Sequence, residues 1–465
     1  MKPILTLFLS LITIITASAQ DITGQWNGVL KVQGTQLRLV FHITKSGNGF
    51  TSTMDSPDQG ATGIPTTSTS FENSKLKIEV TNARIEYSGE FKEGEIIGTF
   101  KQSGYEFPMN LSRKPIEKET IKRPQEPVTP YPYYTEDITF SNPKANISLA
   151  GTLSLPKKEG NFPVVILITG SGPQNRNEEL LGHKPFLVIS DYLTKNGIAV
   201  LRYDDRGIGQ SKGDFKTATS ADFATDVESA IAYLKTRKEI NKKKIGLMGH
   251  SEGGLIAPMI ASKSKDVDFI VLLAGTGIQG DKLLLLQQEL IGKAAGASET
   301  DIQKTYQNNK KIFEMVIKST DDEKLKSDVK QIIKEMLKND PTAEIPSGMS
   351  EDEFISVQVE QITSPWMLYF LRFDPSTTLE IVKCPVLAVN GEKDLQVPAK
   401  VNLSAIENSL KKGGNKKVTV KEFPNLNHLF QECKTGSPSE YAEIEQTFSP
   451  VALEEITKWI LNQTK

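Results

Sequence analysis

Five short apolar runs recur between residues 162 and 391: FPVVILITG (162–170), GIAVLRYD (197–204), KIGLMG (244–249), DFIVLLAG (268–275) and CPVLAVNG (384–391). None alternates polar with apolar residues, so none is suited to one wet face. A strand apolar on both sides needs cover on both sides, which is the condition of a parallel sheet between two layers of helices. Helical patterns lie between several of the runs. In SADFATDVESAIAYLKTRK, Phe223, Val227, Ala230, Ile231 and Leu234 share one face at a period of 3.6. Residues 134–465 therefore read as an α/β domain with a mainly parallel sheet.

One stretch interrupts the alternation. Residues 277–375 hold no convincing strand and read as a charged, helical insertion. Capping-box signals stand at Ser298/Asp301, Thr320/Glu323 and Ser350/Glu353. Ile302, Tyr306, Ile312, Phe313 and Val316 can face inward, as can Leu325, Val329, Ile332, Ile333 and Met336. Long insertions in compact domains are often functional, and this one reads as a lid.

The first part of the chain is different. LRLVFHI, LKIEV and ARIEYSG alternate with period 2 between the turns KSGNG, SPDQG and KEGE, so residues 20–114 are expected to form an all-β sandwich or small barrel, with Trp26 in its core. His42 lies in an apolar run and is expected to be a packed histidine. The segment 115–133, PIEKETIKRPQEPVTPYPY, is rich in charge and proline and reads as an extended linker. At the N-terminus, Lys2, the apolar PILTLFLSLITIITA and the small residues of ASAQ have the order of a signal peptide. Cleavage after Ala19 is expected, with an exported, periplasmic or secreted product.

The run KIGLMG leads into Gly249-His250-Ser251-Glu252-Gly253, a G-x-S-x-G pattern, and GGLIAPMIASK reads as a helix leading out. A serine on a sharp strand-to-helix turn has strained backbone and an exposed hydroxyl. Side chains on its neighbours would clash there, so glycine is expected on both sides. Such a hydroxyl needs a base. Of the four histidines, His42 lies in the β domain, His183 precedes the serine, and His250 adjoins it and should point away. His428, in FPNLNHLF after the apparent strand KVTVKEF, is the only one that follows. The expected order is serine, acid, histidine. LAVNGEKDLQVP ends a strand and offers Asp394, with Glu392 as rival; Val397-Pro398 after Asp394 favour the aspartate. Backbone N–H groups for a developing oxyanion would come from Glu252 and from the loop SGPQNRNEE, where Ser171 is favoured and Gly172 is second. RYDDRGIGQSKGDF lacks the spacing of a dinucleotide loop, since Gly213 comes one residue late, and it reads as structural.

Cys384 and Cys433 fit no metal-ligand spacing, so neither a zinc site nor a cofactor is expected. They are not expected to be bridged either. The strand that Cys384 begins would span roughly 20 Å to the end where Cys433 follows His428, and bridged Cα atoms lie about 5–6 Å apart. A net charge of -2 gives no electrostatic reason to expect nucleic acid or an anionic membrane as partner.

Taken in order, GSGPQNRNE, RYDDRGIGQSKGDF, GHSEGG, NGEKDLQVP and NLNHLF resemble the motifs of the α/β-hydrolase superfamily over about 330 residues. The likeness is closest to bacterial EstD-type carboxylesterases and the serine aminopeptidase-like hydrolases grouped with them, and SPWMLYFLRFDP at 364–375 looks like that group's return from lid to sheet. The group has DRDE where Asn175 and Asn177 stand here, which puts in doubt any role those carboxylates have. The β domain resembles lipocalin-like modules appended to such hydrolases. The resemblance implies hydrolysis of a small-molecule ester through an acyl-enzyme on Ser251, Asp394 and His428, with an aminopeptidase or amidase as the alternative and a catalytically silent binding protein a more distant one.

Overall fold

In a computed structural model, which describes residues 21–32, 35–102, 105–117, 122–339, 345 and 349–465, the five apolar runs become the central strands of one eight-stranded sheet. The strands are β1 (Tyr134–Asn142), β2 (Ile147–Leu155), β3 (Phe162–Ile168), β4 (Ala199–Tyr203), β5 (Ile240–His250), β6 (Phe269–Leu273), β7 (Val386–Gly391) and β8 (Val418–Phe423). Their order is β1-β2-β4-β3-β5-β6-β7-β8. The pairings of β1 with β2 and of β2 with β4 are antiparallel, and the rest are parallel.

Both faces of the sheet are covered, as the unbroken apolar runs require. One face packs on α2 (Ser220–Thr236), α3 (Glu252–Ala261) and α10 (Ala399–Lys412), through Val227, Ile256 and Ile406 among others. The other packs on α1 (Pro185–Lys195) and α11 (Pro450–Thr464), through Phe186, Ile189, Leu453 and Ile456. Parallel strands end on one edge, so the loops after β3, β5, β7 and β8 gather there.

The insertion is helical throughout its described residues. It runs through α4 (Gly280–Ala294), α5 (Glu299–Lys318), α6 (Asp322–Asn339), α7 (Glu351–Ile362) and α8 (Pro365–Arg372), before the short α9 (Ser376–Leu379). Ile312, Phe313, Val316, Leu325, Val329, Ile332 and Ile333 are buried in a core of its own. Ser350 and Glu353 form the full capping box, and Ser298 accepts from the Asp301 amide. The signal at Thr320 is shifted by one residue: Asp321 Oδ1 accepts from the amides of Glu323 and Lys324 instead. A carboxylate there caps the turn that begins at Asp322 and also faces the positive end of its helix.

A separate unit holds the antiparallel strands between Gly24 and Pro108, in one four-stranded and one five-stranded sheet. Trp26 is fully buried in its core, and its indole N–H donates to Ile22 O at 2.8 Å. His42 is not packed. Strand alternation buries Phe41 and Ile43 and turns His42 outward, where Nε2 meets Asp55 Oδ2 at 2.8 Å. The expected signal peptide lies outside the described residues.

The described part of the proline-rich segment has neither helix nor strand, yet from 122 onward it is fixed to the α/β unit. Arg123 donates to the carbonyls of Gly182, Ala442 and Ile444. Gln125 donates to Phe448 O at 2.6 Å and accepts from Thr447 N at 2.7 Å. Charge and proline kept the segment extended, but its side chains found backbone groups to bind. Both thiols are free, and burial pushes that of Cys384 up to about 12.

Candidate active site

β5 ends at His250 and α3 starts at Glu252, which leaves Ser251 alone in the turn with φ 53° and ψ −112°. That region strains a residue with a side chain. Ser251 N is tied to Leu273 O of β6 at 2.8 Å. The glycines explain how so tight a turn is built. A Cβ on Gly249 would lie 1.9 Å from Gly253 O, and one on Gly253 would lie 2.1 Å from Ile168 O. Strand β5, helix α3 and the end of β3 thus touch backbone to backbone, and any side chain would force them apart.

The acid and the histidine come from the loops after β7 and β8. His428 Nδ1 and Asp394 Oδ2 are 2.8 Å apart, and both residues are buried. The second oxygen, Asp394 Oδ1, accepts from the amides of Gln396 and Val397, each at 2.8 Å. The carboxylate is therefore oriented by its own turn. Glu392 does not compete: its Oε2 accepts from Asn425 N at 2.9 Å. The loop around His428 closes on Asn427, whose Oδ1 accepts from the amides of Leu429 and Gln431. Among the described residues, no hydrogen bond joins the Ser251 hydroxyl to His428.

Among the described residues, the backbone N–H groups of Glu252, Ser171 and Gly172 have no hydrogen-bond partner. Gly170 N, one residue earlier, is already bonded to Glu178 Oε1 at 2.7 Å. The loop that presents Ser171 is shaped by residues whose role was not evident from the sequence. Asp205 accepts from the Thr169 hydroxyl at 2.8 Å and from Gln174 N at 3.0 Å. Asp204 accepts from Arg176 N at 2.8 Å and pairs with its guanidinium. Burial holds the Asp205 carboxyl well above the usual carboxylate range. The adjacent acids in RYDDRG were the available signal; a run read only for glycine spacing conceals it.

Asn175 and Asn177 keep the same loop in shape with amides. Asn175 Oδ1 accepts from Asn177 N at 2.9 Å, and Asn177 Oδ1 accepts from Arg202. His250 turns away from Ser251, as expected, toward Glu178. His183 is fully buried between Thr447 and Tyr441, and burial pushes its pKa down to about 4, which marks it as structural. Glu252 is buried as well: its carboxylate accepts from the Ser220 hydroxyl at 2.6 Å and the Trp366 indole at 2.8 Å. Among the described residues, no group of three or more His, Cys, Asp or Glu side chains could hold a metal ion, and no helix is long and apolar enough to cross a membrane.

The chain has relatives among known proteins. The chain is 28% identical over 343 residues to the esterase EstD of Thermotoga maritima, covering 72% of this chain and 69% of that one. It is 26% identical over 135 residues to a putative carboxymethylenebutenolidase of Synechocystis, covering 26% of this chain and 51% of that one. Among solved structures, an esterase of Pyrococcus furiosus aligns with a TM-score of 0.44 at 15% identity, over 75% of this chain and 100% of that one. The sequence profile of the family described as "Serine aminopeptidase, S33" matches residues 186–432, a span that begins at the first helix of the α/β unit and ends just beyond His428. That span is more than half of the chain, and the chain belongs to this family of α/β hydrolases.

Proposed function

We propose that the protein is a metal-independent serine esterase acting on small or medium acyl groups. His428 takes the proton of the Ser251 hydroxyl as that oxygen attacks the ester carbonyl. The amides of Glu252 and Ser171 receive the oxyanion, and His428 then protonates the leaving alcohol. Water repeats the cycle on the acyl-enzyme. The observation that carries this reading is the 2.8 Å contact of His428 Nδ1 with Asp394 Oδ2. It leaves Nε2 of the same ring for the serine proton. The absence of a serine–histidine hydrogen bond is compatible with it, because such contacts often tighten only when substrate is bound.

Ester is preferred to peptide on chemical grounds. An alkoxide leaves with modest help, whereas an amine must be protonated as the bond breaks, which demands tighter placement. Where α3 meets the insertion, Leu255, Leu283, Phe370 and Val397 form a buried apolar cluster, with Trp366 packed against it, that would have to open to receive an acyl chain. The name of the matched family keeps aminopeptidase as the second reading. Purified protein should show higher kcat/KM on p-nitrophenyl acetate or butyrate than on any aminoacyl p-nitroanilide, and Ser251→Ala should abolish the activity. Preference for an aminoacyl anilide would overturn the esterase reading and leave the triad standing. We also propose export after cleavage at Ala19; N-terminal sequencing of the mature protein should begin at Gln20.

A further inference from the structure

His250 has no part in the reaction as proposed, yet it is 6% exposed and bonded at both ring nitrogens. Nδ1 is 3.0 Å from Glu178 Oε1, and Nε2 is 3.0 Å from the backbone oxygen of His428. A carboxylate oxygen and a carbonyl oxygen only accept, whereas a neutral imidazole carries one N–H and a protonated one carries two. Two acceptors at these distances call for both hydrogens. Glu178 Oε1 also accepts the Gly170 N–H at 2.7 Å, so this oxygen acts as an acceptor toward both neighbours.

The rings of His250 and His428 lie 4.7 Å apart, centroid to centroid. Glu178 is bonded at the other nitrogen, so of this pair's two charges the cation is the nearer to the base, whose own Nδ1 meets Asp394. The ionisable groups around His250 come from each neighbouring segment: Glu178 from the loop after β3, Asp394 from the loop after β7 and His428 from the loop after β8. Asp205 at the end of β4 and Glu252 on α3 form the next ring of charge, with Asp205 sensing both Glu252 and Glu178. Burial alone would favour a neutral His250; the Glu178 carboxylate, the His428 carbonyl and Asp394 together outweigh it and raise its proton affinity above the usual value.

We infer that Glu178 and His250 are a positioning pair for His428: the contact to its carbonyl fixes the loop that carries the base, and the imidazolium beside its ring opposes proton uptake from solvent. This rests on the reading of His428 as general base. Position and charge can be separated by substitution. Glu178→Gln cannot balance a second proton on His250, but a neutral His250 can still donate from Nε2 to the carbonyl. His250→Ala removes both.

The experiment combines nuclear magnetic resonance with pH-rate profiles. In the full chain, ¹⁵N spectra should show both ring nitrogens of His250 protonated at neutral pH, and Glu178→Gln should convert the ring to one protonated nitrogen. With p-nitrophenyl butyrate, the acid limb of kcat/KM in Glu178→Gln should move up by about half a pH unit or more, the direction expected when a nearby cation is lost. His250→Ala should lower kcat by about tenfold to a hundredfold with KM nearly unchanged. A single protonated nitrogen in the parent chain overturns the inference, and so does a Glu178→Gln profile that superimposes on the parent's. The spectra need no turnover, so in a protein inactive on esters, which would sink the proposed function, the protonation of His250 still decides this inference.

Discussion

Trp366, on helix α8 of the insertion, donates its indole N–H at 2.8 Å to the carboxylate of Glu252, the residue that follows the elbow serine. The same oxygen accepts the Ser220 hydroxyl at 2.6 Å, so one buried atom ties together the starts of α2 and α3 and the insertion. The residue proposed to supply an oxyanion amide is thus anchored to the insertion by its side chain. Trp366→Phe keeps a ring to stack on Phe370 and removes the N–H. It leaves a buried acceptor one donor short, at a cost of about 1–3 kcal/mol. The melting temperature should fall, and kcat/KM should drop by about tenfold or less. An unchanged melt together with unchanged kinetics would show that the contact carries nothing.

Glu252 also predicts a pH dependence. Burial raises its carboxyl pKa above the ordinary 4.5, while its bonds to Ser220 and Trp366 pull the other way. The native chain therefore holds this proton longer than the unfolded chain does. Where the native state binds more protons, stability falls as pH rises. The contribution is complete below 4.5 and is lost as pH climbs through the folded value. Glu252→Gln can accept the same two bonds without charge. It should flatten the decline above that pH and raise the melting temperature at neutral pH. Parallel stability curves for parent and variant would refute the argument.

The acid of the proposed triad is tested by a pair of variants. Asp394→Asn leaves the turn amides an acceptor but deprives the imidazole of its anion, and turnover should fall by about four orders of magnitude. Ser251→Ala and His428→Ala should each abolish most turnover while leaving the melt nearly intact. Glu392→Gln keeps an oxygen for Asn425 N, so it should stay within about tenfold of the parent. Steady-state assays on p-nitrophenyl acetate decide it. The reverse ranking of Asp394 and Glu392 would assign the acid wrongly.

What the sequence made legible was whatever depends on periodicity and on steric necessity. Unbroken apolar runs required two covered faces, and a serine between glycines required a turn with no room for side chains; both hold, down to the 1.9 Å that a Cβ on Gly249 would leave. Chain order and elimination brought His428 and Asp394 into one contact. Bonds from side chains to groups distant in the chain were not legible, because no local pattern encodes them. Asp204 and Asp205 holding the 170–178 loop, Arg123 reaching Ala442 and Trp366 reaching Glu252 all depend on where the fold places the partner. His42 was misread for a different reason: apolar neighbours on both sides of it hid an ordinary in-out alternation.

The strap formed by Arg123 and Gln125 sets where a catalytic fragment should start. Gln125 holds the backbone of Thr447 and Phe448, and Phe448 stacks on Phe430, two residues beyond His428. Thr447 also bonds His183. A chain beginning near residue 120 should retain activity on small soluble esters, since it holds all the proposed catalytic groups. One beginning at Tyr134 loses both anchors. It should melt lower and lose activity at a lower temperature, because the His428 loop loses its outer brace. Equal melting curves for the two fragments would show the strap to be incidental. A folded longer fragment without activity would show that the β domain helps to build the site.

The last prediction concerns the amide that stands where the resembled group has an aspartate. Arg202 is 5% exposed, and its guanidinium donates to the neutral Asn177 side chain. Among the described residues, its Nε has no hydrogen-bond partner and is buried. Burial lowers the Arg202 pKa to about 10, the direction expected of a cation short of countercharge. Removing or denying one partner of a buried pair is costly because the remaining charge is uncompensated. Asn177→Asp changes an amide to a carboxylate of the same size at a position already in contact. It converts a hydrogen bond from a cation to a neutral amide into a hydrogen-bonded ion pair, which is worth about 1–3 kcal/mol. The gain should appear as a higher midpoint in urea with an unchanged slope, since the surface exposed on unfolding is the same. Because Arg176, next in the loop, is held by Asp204 rather than by Asn177, the loop need not move to accept the change. A variant no more stable than the parent would mean that Arg202 is already compensated by charges further away.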